Sequence, residues 1–186
     1  MKCKAVIFDL DGVIVHTDEL HYFAWKKLAD RLNIYFDRNI NNRCRGISRK
    51  ESLDIVLERS AFQYSEHEKE MLAVEKNTYY REMLNHMTPE DVAPDVQMAL
   101  NELKGNGYRL AIGSSSKNAR LILAKVGLPD FFHAVADGND ITRSKPDPEV
   151  FLKAAEYLCE APENCVVVED CVFRSHATGN RITSDQ

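Results

Sequence analysis

Four places along the chain carry side chains that chemistry could use. Asp9 and Asp11 stand two apart in Asp9-Leu10-Asp11-Gly12, Ser114 to Ser116 follow Gly113, Lys145 precedes Pro146, and Glu169 is followed by Asp170. Aspartates at i and i+2 share a face if the extended backbone continues through them. Carboxylates gathered at one edge repel and titrate upwards unless a cation lies among them, and oxygen-only ligands select a hard ion such as Mg²⁺. With Mg²⁺ and the Lys145 ammonium supplying positive charge, and Ser114 with nearby backbone amides supplying hydrogen bonds, such a site suits a phosphoryl group. One aspartate of the first pair would attack phosphorus while the other moves protons. Taken singly, each of these residues is more often a turn or a helix cap. Their force lies in convergence, which the intervening elements must provide.

Short apolar runs at Ala5–Phe8, 109–112, Ala134–Ala136 and Cys165–Val168 read as buried strands, and each ends just before or near one of these polar groups. Amphipathic stretches at 95–104 (closed by Gly105), 117–126 (closed by Gly127) and 148–158 read as helices, each preceding one of the last three. Alternation of strand and helix predicts an α/β fold, a Rossmann-like parallel sheet with right-handed crossovers. In open sheets of this kind the ligand lies at the carboxyl ends of the strands, where the four groups fall. Between Phe8 and Arg109 runs a stretch without strand signals, far beyond the roughly 2–6 residues of an ordinary connection in such units. It must hold a domain of its own. Thr17 is placed to cap a helix with Asp18 and Glu19 in its first turn and Leu20, Ala24, Leu28 and Leu32 along one face. Ser48 with Glu51, and Ser65 with Glu68, match the capping-box pattern. These signals predict a helical insert at 15–86 within an α/β core made of 1–14 and 87–186.

Composition narrows the partners. The 186 residues carry 24 Lys and Arg against 29 Asp and Glu, a net charge of −5 with no basic run, which disfavours nucleic acid and anionic membranes. No apolar run approaches the ~18 residues of a membrane span, and the one that begins at Ala5 meets Asp9 too soon for a signal peptide. Five cysteines without a C-x-x-C pair fit reduced thiols in a cytoplasmic protein. The even spacing of Cys159, Cys165 and Cys171 reads as a buried strand with its flanks, given Val166 and Val168, rather than as a metal cluster.

Asp9-Leu10-Asp11-Gly12, Ser114, Lys145-Pro146 and Glu169-Asp170 resemble, in order and spacing, the four motifs of the haloacid dehalogenase-like phosphotransferase superfamily. Within it, the segments 8–14, 21–28, 45–49, 114–118 and 144–148 resemble the β-phosphoglucomutase family, and the resemblance runs from residue 4 to about 170. It implies a monomeric enzyme that converts β-glucose 1-phosphate to glucose 6-phosphate through the 1,6-bisphosphate. Asp9 would be the phosphorylated nucleophile and Asp11 the general acid and base. Mg²⁺ would be held by Asp9, the backbone carbonyl of Asp11, Glu169 and Asp170, while Ser114 and Lys145 bind the transferring phosphate. A sugar phosphate that turns over between two half-reactions needs a second anion site, for which the resemblance offers Arg49 with Ser116, Lys117 and Asn118 in a clamp between core and insert. His21 and Lys76 would set the position of Asp11 on closure of the cap, and Thr17, Arg45, Gly46, Ser52 and Ser115 would complete the sugar-phosphate contacts.

Two substitutions depart from the family pattern without removing a needed group: His16 stands where many members carry Asp, and Ser115 where mutases often have Ala. After Asp170 the chain reads Cys171 to Gln186 with little helical periodicity and no apolar strand run. The expected last core strand and helix are missing there, which would leave 165–168 as an exposed edge, lower stability and favour aggregation. Three readings stand side by side: a mutase, a phosphatase in which water removes the phosphoryl group from Asp9, and a fragment that keeps the motifs but at most binds Mg²⁺ or a phosphosugar.

Overall fold

The computed structural model describes residues 3–45 and 47–170; Gly46 and the segment 171–186, with the expectations attached to them, lie outside. Two compact units result, one formed by Thr17–Met87 and the other by the residues on either side of it.

The flanking unit is built on β1 (Ala5–Phe8), β2 (Arg109–Gly113), β3 (Ala134–Ala136) and β4 (Cys165–Val168). Among the described residues these form one parallel sheet in the order β3-β2-β1-β4. All four runs are strands where their apolar stretches placed them, with β2 extended by one residue through Gly113. The β1 register sets Phe8 beside Ile112 on one neighbour and Val168 on the other, so β1 and β4 end level at their carboxyl edge and β2 runs one residue further. Among the described residues, three helices belong to the same unit: α5 (Pro94–Gly105), α6 (Ala119–Lys125) and α7 (Glu149–Tyr157). Val150, Ala154, Ala155 and Leu158 of α7 and its end pack on Ala5, Ile7, Ala111 and Ala136 of the sheet. Each of the larger side chains buried there contributes about 1.5–3 kcal/mol.

Two helix ends differ from expectation. Gly105 is the last residue of α5 rather than its stop; the left-handed turn falls on Gly107, at φ +81°. α6 begins at Ala119 because 116–118 form a turn instead of a first helical turn, although Gly127 (φ +77°) follows its end as expected. Among the described residues β4 is an outer strand, and Val166, Val167 and Val168 are 45%, 39% and 36% exposed, so this run is a strand but not the buried one its composition predicts.

The inserted unit holds α1 (Asp18–Arg31), α2 (Arg38–Arg43), α3 (Arg49–Leu57) and α4 (Glu66–Leu84). Trp25, Leu28, Ala29, Leu53, Val56 and Leu72 make its core. Both capping boxes are present: the Ser48 and Ser65 hydroxyls accept from the Glu51 and Glu68 amides, and those glutamates accept in return from the serine amides. Thr17 does not cap α1. Its backbone (φ −108°, ψ 8°) is not extended, and its hydroxyl instead accepts a buried hydrogen bond of 3.0 Å from Tyr80 Oη.

Inside this unit a lysine is almost wholly enclosed. Lys76 is 2% exposed; its Nζ lies 2.8 Å from His21 Nδ1, 4.6 Å from the Trp25 ring centre and 4.8 Å from that of Tyr80. His21 stacks on Tyr80 at 4.1 Å. Lysine is a donor only, so Nδ1 must accept, which requires a neutral imidazole. Burial, then the charges of Lys76 and Arg49, push His21 well below its ordinary pKa.

Two outcomes follow from this packing. A histidine depressed in the folded state is protonated first in the unfolded chain, so its contribution is complete above the unfolded value near 6.5 and shrinks as pH falls below it. Thermal unfolding followed from pH 7.5 to 5 should therefore show an acid-side loss that is smaller in His21→Phe, which keeps the stacking partner for Tyr80; parallel profiles would contradict a neutral buried imidazole. At the sheet edge, Val166→Lys should lower light scattering at raised protein concentration while stability changes by no more than about 0.5 kcal/mol.

Candidate active site

The nearly level ending of β1, β2 and β4 gathers the polar groups. Asp9 follows β1 directly and its amide donates to Val168 O at 2.9 Å, one step beyond the ladder; the residue is 7% exposed. The extended backbone stops at Phe8, so Asp9 and Asp11 are presented by a loop rather than by strand alternation. Leu10 O accepts from the Ile14 and Val15 amides at 2.9 and 3.1 Å, and the Gly12 amide donates to Val15 O at 2.7 Å. Gly12 (φ +87°) favours the absence of a side chain: any other residue would be strained there, and a Cβ would lie 2.2 Å from Asp170 Oδ2, so that carboxylate would have to move. The loop after β1 is thus folded against the carboxylate after β4.

The turn after β2 is held by its own hydroxyls. Ser114, buried, donates its amide to Ala136 O at 3.1 Å and accepts the Ser116 amide on Oγ at 3.1 Å; Ser116 Oγ accepts the Asn118 amide at 3.2 Å. Asn118 is buried ahead of α6 and Lys117 is exposed. Gly138 lets the loop after β3 come in, since a Cβ would stand 2.3 Å from Ser115 O.

Lys145 enters from the loop between β3 and α7. It is 8% exposed, and its Nζ is 2.8 Å from Asp9 Oδ1 and 2.7 Å from Glu169 Oε2. Burial and the Asp9 charge raise Glu169 to a pKa of about 7, outweighing the opposing pull of Lys145. Oxygens of Asp9, Glu169 and Asp170 all lie within 4.8 Å of one another, and the Asp11 carboxylate is not part of that group. Three carboxylates against one ammonium leave excess negative charge that an oxygen-seeking divalent cation would neutralise, so the donor set fits such an ion. The core residues Asp9, Ser114, Lys145, Glu169 and Asp170 thus collect at the carboxyl edge of the sheet.

The residues singled out in the helical unit fare unevenly. Arg49 opens α3, is half-buried and forms no ion pair among the described residues; burial holds its guanidinium below its ordinary pKa. With Asn77, Thr78, Arg81 and Glu82 it lines a cavity of about 430 Å³. Arg45 is engaged by Asp18. Ser52 gives its hydroxyl to Ser48 O and Cys44 O at 3.0 and 3.3 Å, which ties α3 to the end of α2 instead of offering a donor to a ligand. Thr17 is occupied with Tyr80 and Lys76 with His21, as described. Reading the sequence missed the parts played by Tyr80, Gly12 and Gly138. A glycine beside a strand end signals close approach, and that signal was available for both glycines.

The haloacid dehalogenase-like hydrolase family matches residues 3–173. A β-phosphoglucomutase of Bacillus subtilis is 43% identical over 169 residues, which is 90% of this chain and 75% of that protein. A phosphorylated carbohydrates phosphatase of Thermotoga maritima is 30% identical over 90% of this chain and 76% of its own. The crystal structure of a β-phosphoglucomutase from Clostridium difficile superposes with a TM-score of 0.84 at 41% identity, covering 90% of this chain and 76% of that one. The shared fold, the ordered motifs and these identities place the chain: it belongs to the haloacid dehalogenase-like hydrolase family, among relatives named β-phosphoglucomutases.

Proposed function

We propose that this protein is a Mg²⁺-dependent β-phosphoglucomutase, interconverting β-glucose 1-phosphate and glucose 6-phosphate through an aspartyl-phosphate and glucose 1,6-bisphosphate. The observation that carries the reading is the Lys145 ammonium held between Asp9 and Glu169 beside Asp170. The 43% identity to a mutase, against 30% to a phosphatase, favours sugar over water as the acceptor.

Asp9 attacks phosphorus and the departing sugar oxygen takes a proton from Asp11, leaving phosphate on Asp9. In the reverse sense Asp11 takes the proton of the attacking sugar hydroxyl as it removes the phosphoryl group. With the 6-hydroxyl of β-glucose 1-phosphate as acceptor the product is the bisphosphate. Return of its 1-phosphate to Asp9 releases glucose 6-phosphate, and atoms balance over the cycle. Lys145 and the Ser114 turn bind the phosphoryl oxygens, whose charge is greatest in transit. Asp9, Glu169, Asp170 and the Asp11 carbonyl would hold Mg²⁺, which supplies charge neutralisation at the phosphoryl group. Arg49, a partly desolvated cation with no ion pair among the described residues, binds the phosphate that is not reacting.

A phosphatase of the same superfamily is the second reading, favoured by the Thermotoga maritima relative. Asp11 assists water as readily as it assists a sugar hydroxyl, so turnover must decide.

Phosphorus NMR of the chain with β-glucose 1-phosphate, Mg²⁺ and a trace of bisphosphate should show glucose 6-phosphate growing in, with none from Asp9→Asn and none after chelation of the metal. Inorganic phosphate in its place would establish the phosphatase. Arg49→Ala should weaken bisphosphate binding about 10- to 100-fold, while hydrolysis of acetyl phosphate, which has no second phosphate, stays within about twofold. Equal losses on both would remove Arg49 from the anion site.

A further inference from the structure

The ammonium of Lys145 has a third neighbour besides its two carboxylates. Its Nζ sits over the ring of Phe151, 4.7 Å from the centre. Phe151 lies in the first turn of α7, where its amide donates to Pro148 O at 3.0 Å, and it packs against the cluster that joins α7 to the sheet. Gly113 makes room for the ring at the end of β2. A Cβ on that glycine would stand 2.7 Å from Phe151 Cδ1, 3.1 Å from Cε1 and 3.3 Å from Ile7 Cγ2. The ring is therefore wedged between the sheet and the lysine, in a place that the sheet leaves open by omitting one side chain.

We infer that Phe151 is a positioning residue for Lys145: its π face fixes the ammonium where it meets the phosphoryl group on Asp9. This rests on the role proposed above for Lys145. An ammonium has three donors and two carboxylate partners here, and a nearly dehydrated cation is strongly attracted to an aromatic face. As incoming phosphate and a divalent cation draw on Asp9 and Glu169, the carboxylates loosen their hold on Lys145. The ring does not compete for those oxygens, so it keeps the long, flexible side chain from swinging away when its other partners are being shared. An aliphatic residue of similar size would fill the same space without that attraction.

The test is hydrolysis of acetyl phosphate with Mg²⁺, in which Asp9 displaces acetate and water then frees the phosphate. Phe151→Leu should lower kcat about 5- to 30-fold with KM within about twofold, and Phe151→Tyr should stay within about twofold of wild type. In a Lys145→Ala background the Phe151→Leu change should cost less than about twofold, because nothing is left to position. An equal loss in both backgrounds would reduce Phe151 to packing, and an unchanged Phe151→Leu beside an impaired Lys145→Ala would overturn the inference alone. Lys145→Ala at wild-type rate would overturn both it and the reading it rests on. If Phe151→Leu does not fold, mono-, di- and trifluorophenylalanine at 151 weaken the π face at nearly constant shape. Rates should fall step by step along that series, and a flat series overturns the inference.

Discussion

Pairing β1 with β4 in parallel creates an electrostatic problem that the rest of the core is arranged around. The register that sets Phe8 beside Val168 makes Asp9 and Glu169 the next residues on adjacent strands, with Asp170 close behind. Two carboxylates placed side by side and partly buried cannot both ionise without a counter-charge, and Glu169, raised to about 7, registers the strain. Lys145 supplies one such charge, bridging the pair at 2.8 and 2.7 Å. One ammonium among three carboxylates is enough to hold the loops together and too little to neutralise them. On the proposed reading, a divalent cation and, with it, a phosphoryl group would answer the remaining deficit.

Bringing four loops to one point is chiefly a steric matter, and the chain meets it by leaving side chains out. Gly12 clears the space in which the Asp170 carboxylate lies, Gly113 that of the Phe151 ring, and Gly138 that of the Ser115 carbonyl. Gly12 has a positive φ, so a larger residue there would be strained as well as obstructed; the other two are constrained by space alone. Backbone hydrogen bonds finish the placement. The Asp9 amide on Val168 O and the Ser114 amide on Ala136 O extend two ladders by one residue each, which carries strand order into the loops that bear the chemistry.

Much of this was legible in the sequence because it depends on local composition. Four apolar runs announced four strands, and both serine capping boxes formed as their spacing required. Asp9, Ser114 and Glu169 could be read because each directly follows a strand, where topology dictates convergence, whereas Lys145 arrives from the long loop between β3 and α7. What escaped the sequence depends on tertiary partners. Thr17 carries a cap residue's chemistry, yet the Tyr80 hydroxyl claims it from far along the chain. Ser52 offers a hydroxyl, yet two local carbonyls take it, and Arg45 offers a guanidinium that Asp18 already holds. A side chain's type says what it could bind, and only its neighbours say whether the capacity is still available.

That distinction bears on the helical unit, whose two most constrained cations differ in kind. Lys76 is enclosed by His21, Trp25 and Tyr80, and its charge is met by a neutral imidazole and two aromatic faces. Such a lysine has little freedom to reach a ligand and acts best by holding its surroundings in one arrangement. Arg49 is half-buried and forms no ion pair among the described residues, so it bears part of a desolvation cost that no carboxylate repays. A doubly charged phosphate would repay it, and the planar fork of a guanidinium suits that anion better than an ammonium does. On the proposed reading the two cations therefore divide the work: Lys76 fixes the frame, and Arg49 remains open to the end of the substrate that is not reacting. Exchanging their residue types would fail at both positions, because a guanidinium is too broad for the aromatic enclosure and an ammonium cannot grip phosphate with two parallel bonds.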